Sequence, residues 1–132
     1  MASVRKEVLI QAPPEKVWDA LRDWGAVHER LVPGFVIDAQ LDGRDRIVTF
    51  FNGLTARELF VDLDEDRRRL VWSAAGGSLT HHNASAQVFD DGNGRTRFVW
   101  IADLLPDEAA TTVGQMMERG TAVLKRTLEA KA

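Results

Sequence analysis

Cysteine and tyrosine are both missing from this 132-residue chain. Without cysteine there is no disulfide frame, no thiolate nucleophile and no sulfur ligand for zinc, so stability has to come from packing. Without tyrosine there is no phenol to polarise a bound carbonyl. No apolar run approaches the roughly 20 residues that a membrane helix needs, and residues 1–7 are mixed polar rather than an apolar leader. The expectation is a cytoplasmic protein with no membrane insertion. An excess of one charge is lacking too. The formal net charge is -3, and the run Arg67-Arg68-Arg69 directly follows Asp64-Glu65-Asp66, so the local fields largely cancel. That balance argues against nucleic acid as a partner. No internal repeat, low-complexity tract or linker interrupts the sequence, so residues 1–132 read as a single domain.

What is present is a series of short alternating segments punctuated by turn residues. Residues 4–10 read as a first strand, with Val4, Val8 and Ile10 on one face and Leu9 on the other. Pro13-Pro14 stops it, and Pro14, Glu15 and the stripe Val17, Trp18 and Leu21 start a short helix that ends near Asp23. A second helical turn over residues 26–31 and a reversal at Pro33-Gly34 lead back to a sheet. Six further strands are expected at residues 35–41, 47–51, 54–63, 70–75, 79–89 and 96–104, joined by Asp-Gly, Asn-Gly, Gly-Gly and acidic turns. Between the last two lies the loop Asp90-Asp91-Gly92-Asn93-Gly94.

A long helix is expected from Pro106 to about Ala130, about 36 Å at 1.5 Å per residue. Its buried stripe is Val113, Met117, Gly120, Leu124 and Leu128, widened by Met116 and Val123. Gly120 in mid-helix costs roughly 1 kcal/mol relative to alanine, which either close packing or room for a ligand would explain. A bent sheet wrapped around one helix tends to leave a hollow, and such a hollow commonly holds a small molecule.

Several stretches together resemble one family. They are Ile10-Gln11-Ala12-Pro13-Pro14-Glu15-Lys16-Val17-Trp18, Val32-Pro33-Gly34, Gly94-Arg95-Thr96-Arg97-Phe98-Val99-Trp100 and Ala102-Asp103-Leu104-Leu105-Pro106. In order and spacing the chain resembles the helix-grip proteins of the START, birch-pollen-allergen (Bet v 1-like) and polyketide-cyclase superfamily, in its polyketide cyclase/dehydrase-like bacterial branch. The resemblance implies an α+β helix-grip fold. A seven-stranded curved antiparallel sheet would wrap around the C-terminal helix, with two short helices between strands 1 and 2. It also implies either carriage of a hydrophobic ligand or aromatase/cyclase chemistry, since family members do both.

Strand alternation then selects the residues that face the hollow. In the last strand Phe98 and Trp100 share the inward face, and Trp100 is expected to form a wall, to pack on the long helix, or both. In the strand before it Ala84, Ala86 and Val88 set the parity, which brings His82 inward. A neutral imidazole there can donate one hydrogen bond, accept another and shuttle a proton. Ligand contact and a purely structural role both stay open for it. Val48 and Phe50 share the cavity face of their strand, and Arg46 has the same parity, either at the cavity's far end or in a surface ion pair.

For residues 54–63 the pattern alone would bury Leu59, Val61 and Leu63. The resemblance turns Glu58 and Phe60 inward instead, with a bulge or twist that lets Leu63 pack at the far end. An inward Glu58 would want a partner such as His82. Alternate turns of a meander lie at one end of the sheet, so Leu54 and Leu79, each following a glycine turn, are expected to flank a mouth. The plant hormone receptors of the superfamily look similar there, but the proline of their gate and the His-Arg-Leu of their latch are missing here.

Two functions follow. In the first, a small hydrophobic or aromatic molecule sits among Phe50, Phe60, Trp100, Met117 and Leu124 and is oriented by His82 and Glu58. In the second, a cyclase or aromatase uses His82 as general base with Glu58 as its partner. His81 and His82 point apart on a strand and no ligand set is in view, so neither a metal nor another cofactor is expected. His28 is expected at a surface or interface. A homodimer stays open.

Overall fold

Period-two alternation, interrupted every few residues by a glycine or acidic turn, builds one antiparallel meander. The computed structural model describes residues 1–131. Strand β1 (Ala2–Ile10) leads into helix α1 (Pro14–Arg22), then a 3-10 turn at Trp24–Ala26 and a π-helical turn at Val27–Leu31. Strands β2 (Val36–Asp42), β3 (Asp45–Phe50), β4 (Thr55–Asp64), β5 (Arg69–Ala75), β6 (His81–Gly92) and β7 (Arg95–Leu105) follow. A 3-10 turn at Asp107–Ala109 then leads into helix α2 (Ala110–Ala130). The seven strands form one sheet in the order β1-β7-β6-β5-β4-β3-β2, the architecture of a helix-grip fold.

The element boundaries shift most from the sequence expectation at two places. The loop at residues 90–94 shrinks to a tight turn at Asn93-Gly94, both at positive φ (55° and 73°), because the β6–β7 ladder continues past a bulge between Asp90 and Gly92. The long helix starts at Ala110 rather than Pro106. Pro106 stays extended (φ -73°, ψ 161°), and Asp107–Ala109 close a 3-10 turn through Ala109 N–H to the Pro106 carbonyl at 3.1 Å.

Helix α2 lies across the concave face. Met117, Gly120, Leu124 and Leu128, spaced three and four apart, are its buried positions. Each of the large side chains among them contributes roughly 2 kcal/mol by burial. An adjoining flank meets β1: Lys125 Nζ donates to the Leu9 carbonyl at 2.7 Å, Gln11 N–H donates to Glu129 Oε2 at 2.9 Å, and Lys6 pairs with Glu118 at 2.7 Å. These contacts hold α2 against β1. The corner between β1 and β2 is anchored through Trp18 Nε1 and Arg22 Nε, both donating to Glu65 in the β4–β5 turn.

His28, expected at a surface or interface, lies in this corner with 17% of its side chain exposed and its Nε2 3.1 Å from Glu29 Oε1. It belongs to the π-helical turn, and its Nδ1 is buried without a partner.

Candidate functional site

The inward positions of β3 to β7 fall into rows that cross the sheet. Arg46 pairs with Glu58, Glu58 with Ala74, and His82 with Leu104; Ser73 opposite Asn83 sets Ala74 and His82 next to each other in the same row. The next row holds Phe60, Trp72, Ala84 and Ala102, and the one after it Leu70, Ala86 and Trp100. Alanines at four of these positions leave space that larger side chains would fill. Between this floor, α2 and the corner helices lies a cavity of about 590 Å³, a volume in the range of small-molecule sites.

Most of the wall is apolar. Phe50, Leu54, Leu79, Phe98, Trp100, Val113, Met116, Met117 and Leu124 all line it, as expected from alternation and helical spacing. Leu54 and Leu79 border it together with residues 76–78 and with Pro106, Glu108 and Ala109 at the entry to α2. Leu54 is 61% exposed, so the cavity meets solvent between these loops.

Four expected wall positions lie elsewhere. Val48 is 1% exposed and packed in the core. Phe60 turns toward the corner, where the Trp24 ring meets it edge-on at 5.6 Å and the Arg44 guanidinium sits 4.7 Å from its centroid. Ala84 is too short to reach past its register partner Trp72, which supplies the wall instead. Gly120 is covered by aromatic rings: a Cβ built there would meet Trp100 Cζ3 at 3.0 Å and Phe35 Cε2 at 3.1 Å. Close packing, rather than room for a ligand, therefore accounts for this glycine. Trp100 both lines the cavity and packs on the helix.

Three polar lining residues, Arg46, Glu58 and His82, share one row, while Thr55, Ser78, Glu108 and Thr112 lie elsewhere on the lining. The bulge between Phe60 and Asp62 leaves Val61 exposed and returns Leu63 to the core, which permits Glu58 to face inward. Its partner is Arg46 and not His82. Arg46 Nε and Nη2 both reach Glu58 Oε1 at 2.7 Å, and Nη1 donates to the Trp24 carbonyl at 2.9 Å. The guanidinium stacks on the Trp24 ring at 3.6 Å. Burial lowers its pKa while Glu58 opposes that shift, and an arginine remains a cation throughout. Both readings of Arg46 thus merge: it lines the cavity and forms an ion pair, but a buried one.

His82 also lines the cavity. Burial pushes its imidazole below the ordinary 6.5, a shift that Glu58 opposes and His81 reinforces. The ring is therefore neutral near neutral pH. Its Nδ1 is buried without a protein partner, as is Trp100 Nε1. The His82 carbonyl accepts from Ser73 Oγ at 2.6 Å, which fixes the backbone there.

The sequence reading misses Trp72, Leu70 and Phe35, all of which line the cavity. Trp72 and Leu70 share the parity of Ala74, so the alternation of β5 carries that signal. Phe35 follows the irregular Pro33-Gly34 reversal, where no period applies. Among the described residues no group of three or more His, Asp or Glu side chains is arranged to hold a metal ion, and no helix is long and apolar enough to cross a membrane.

No curated protein matches the chain. Among solved structures it is similar to an uncharacterized protein from Bacillus thuringiensis, at 18% identity and TM-score 0.86, over 96% of this chain and 98% of that one. A START superfamily protein from Mycobacterium smegmatis matches at 15% identity and TM-score 0.73, over 98% and 95% of the two chains. The Zhui aromatase/cyclase from a Streptomyces species matches at 19% identity and TM-score 0.70, over 98% and 92%. At these identities the likeness shows the fold alone. The family described as polyketide cyclase / dehydrase and lipid transport matches residues 1–129. The chain belongs to that polyketide cyclase/dehydrase and lipid-transport family, on the helix-grip fold that its START and aromatase/cyclase neighbours share.

Proposed function

We propose that the protein binds a small hydrophobic or aromatic molecule in the cavity between the sheet and α2. The observation that carries this reading is a mostly apolar chamber of about 590 Å³ with Arg46, Glu58 and His82 in one row of its floor. Apolar wall supplies the affinity and a few placed polar groups supply orientation. Native mass spectrometry of the purified protein tests it by detecting a co-purified apolar compound. In parallel, a thermal-shift panel of hydrophobic compounds is expected to yield stabilisers whose effect shrinks in Trp100→Ala. An empty protein that no compound stabilises would contradict the reading.

The family description also names cyclase and dehydrase chemistry, and a cavity histidine is the residue such chemistry would use. A general base at Nε2 needs its proton on Nδ1, held there by an acceptor. No side chain accepts from His82 Nδ1, and Glu58, the nearby carboxylate, is engaged by Arg46. Binding is therefore the reading we favour. Turnover of a poly-β-keto substrate that drops about 10²-fold in His82→Ala would reverse that preference.

A further inference from the structure

We infer that the outer edge of β2 pairs with the same edge of a second copy of this chain, antiparallel about a two-fold axis at Ala39, to form a weak homodimer. The sheet ends in two edge strands, β1 and β2. Helix α2 lies against β1, where Lys125 Nζ already takes the Leu9 carbonyl. On the outer side of β2 only the first residue is engaged, the Val36 N–H donating to the Val32 carbonyl at 3.0 Å beside the Pro33–Val36 bridge. Among the described residues no element pairs with the rest of that side, and Ile37 and Leu41 on it are 56% and 62% exposed. An open edge of this kind is a template for another strand.

Ladder geometry says which backbone groups are free. Gly43 (φ 63°) and Arg44 form a two-residue hairpin turn between the closing pair Asp42 and Asp45. The closing pair of such a turn is hydrogen-bonded, and bonded pairs alternate with non-bonded ones along the ladder. Asp42, Gln40 and Asp38 therefore bond to β3, while Leu41 and Ala39 turn N–H and C=O outward. Ile37, left without a β3 partner by the bulge between Val36 and Asp38, continues that parity. These three residues are symmetric about Ala39. Pairing there sets Ala39 opposite the partner's Ala39 and Ile37 opposite the partner's Leu41, with about six backbone hydrogen bonds, and covers both exposed apolar side chains. Asp38 then meets the partner's Gln40, an acceptor facing a donor. Charge selects this register. A slip of two residues, the smallest that keeps the outward groups facing, opposes Asp38 to the partner's Asp38 in one direction and to the partner's Asp42 in the other, and like charges directly opposite are destabilising. An unrelated peptide would place no such demand for symmetry on β2, so a second copy is the occupant. One short strand pair buries less than the roughly 1,200 Å² of a standard interface, so association is weak, with Kd of about 100 µM.

Sedimentation equilibrium of the full chain from about 10 µM to about 1 mM tests the association and is expected to show a monomer passing into a dimer. Ala39→Pro removes the N–H on the axis, at an edge position where the monomer leaves that group to water, so the variant should fold and stay monomeric. Gln40→Lys should tighten the dimer and Gln40→Asp weaken it, each about fivefold, through the two contacts with Asp38. Single cysteines read the register, because the chain has none of its own. Ala39→Cys should form an intersubunit disulfide under mild oxidation, its Cα atoms about 5.5 Å apart across the axis. Leu41→Cys, about 14 Å from its counterpart, should not. A chain that stays monomeric at about 1 mM overturns the inference, as does a dimer that folded Ala39→Pro leaves intact or one that Leu41→Cys crosslinks and Ala39→Cys does not. Should Ala39→Pro fail to fold, the exposed Gln40 variants decide, and equal dissociation constants for the lysine and aspartate variants would equally overturn it.

Discussion

Arg46 and Glu58 are the residues in which stability and site chemistry meet. Each is almost fully removed from water, and their pairing offsets a desolvation cost that neither could carry alone. Glu58→Ala should therefore lower unfolding free energy by about 3 kcal/mol or more, read from urea melts, whereas Arg46→Leu/Glu58→Leu should stay within about 1 kcal/mol of the natural chain. A single variant as stable as the parent would mean that the guanidinium finds water without its partner. His82 supplies a second test. Its folded pKa lies below the ordinary 6.5, so the unfolded chain binds the proton first and stability falls as pH drops below about 6.5, levelling off under the folded value. His82→Gln should flatten that part of the pH–stability curve; an unchanged slope would assign the loss to other groups. Strand parity made the inward turn of His82 readable. The Glu58 partner was not, because Arg46 sits twelve residues away on the neighbouring strand and only the β3–β4 register brings them together.

At the scale of the element, α2 shows why a helix stripe alone does not define a wall. Gly120 lies on the buried stripe, yet the Trp100 and Phe35 rings occupy the place where a side chain would go. Gly120→Ala gains about 1 kcal/mol in helix propensity but forces a methyl to 3.0 Å from one ring and 3.1 Å from the other. Overpacking of that kind costs about 1–3 kcal/mol, so the variant should be less stable by about 1 kcal/mol in denaturant melts. A more stable variant would show that both rings yield into the cavity. Strand β4 offers the complementary lesson. Its leucines and valine compete with Glu58 and Phe60 for the core, and only a bulge after Phe60 reconciles them. Period counting cannot locate a bulge, so the family resemblance carried that part of the reading. Phe60 then missed the cavity because the Trp24 ring, from an irregular turn without sequence period, takes hold of it.

For the whole molecule, the meander order, the terminal helix and the paired leucine-tipped loops were legible because each rests on turn chemistry or periodicity that local residues specify. The hollow was legible only as a consequence of that architecture. Its floor depends on alanines at positions 74, 84, 86 and 102, whose smallness matters only once the rows are aligned. Occupation of that hollow should stabilise the fold: a ligand at a hundred times its dissociation constant adds about 2.7 kcal/mol. The most direct measurement is therefore a pyrene titration of the natural chain beside Ala86→Trp, in which an indole fills the trough between Leu70 and Trp100. Saturable one-to-one binding in the natural chain, lost in a variant that remains folded by circular dichroism, is the predicted result. Equal binding by both proteins would contradict a ligand site beneath α2.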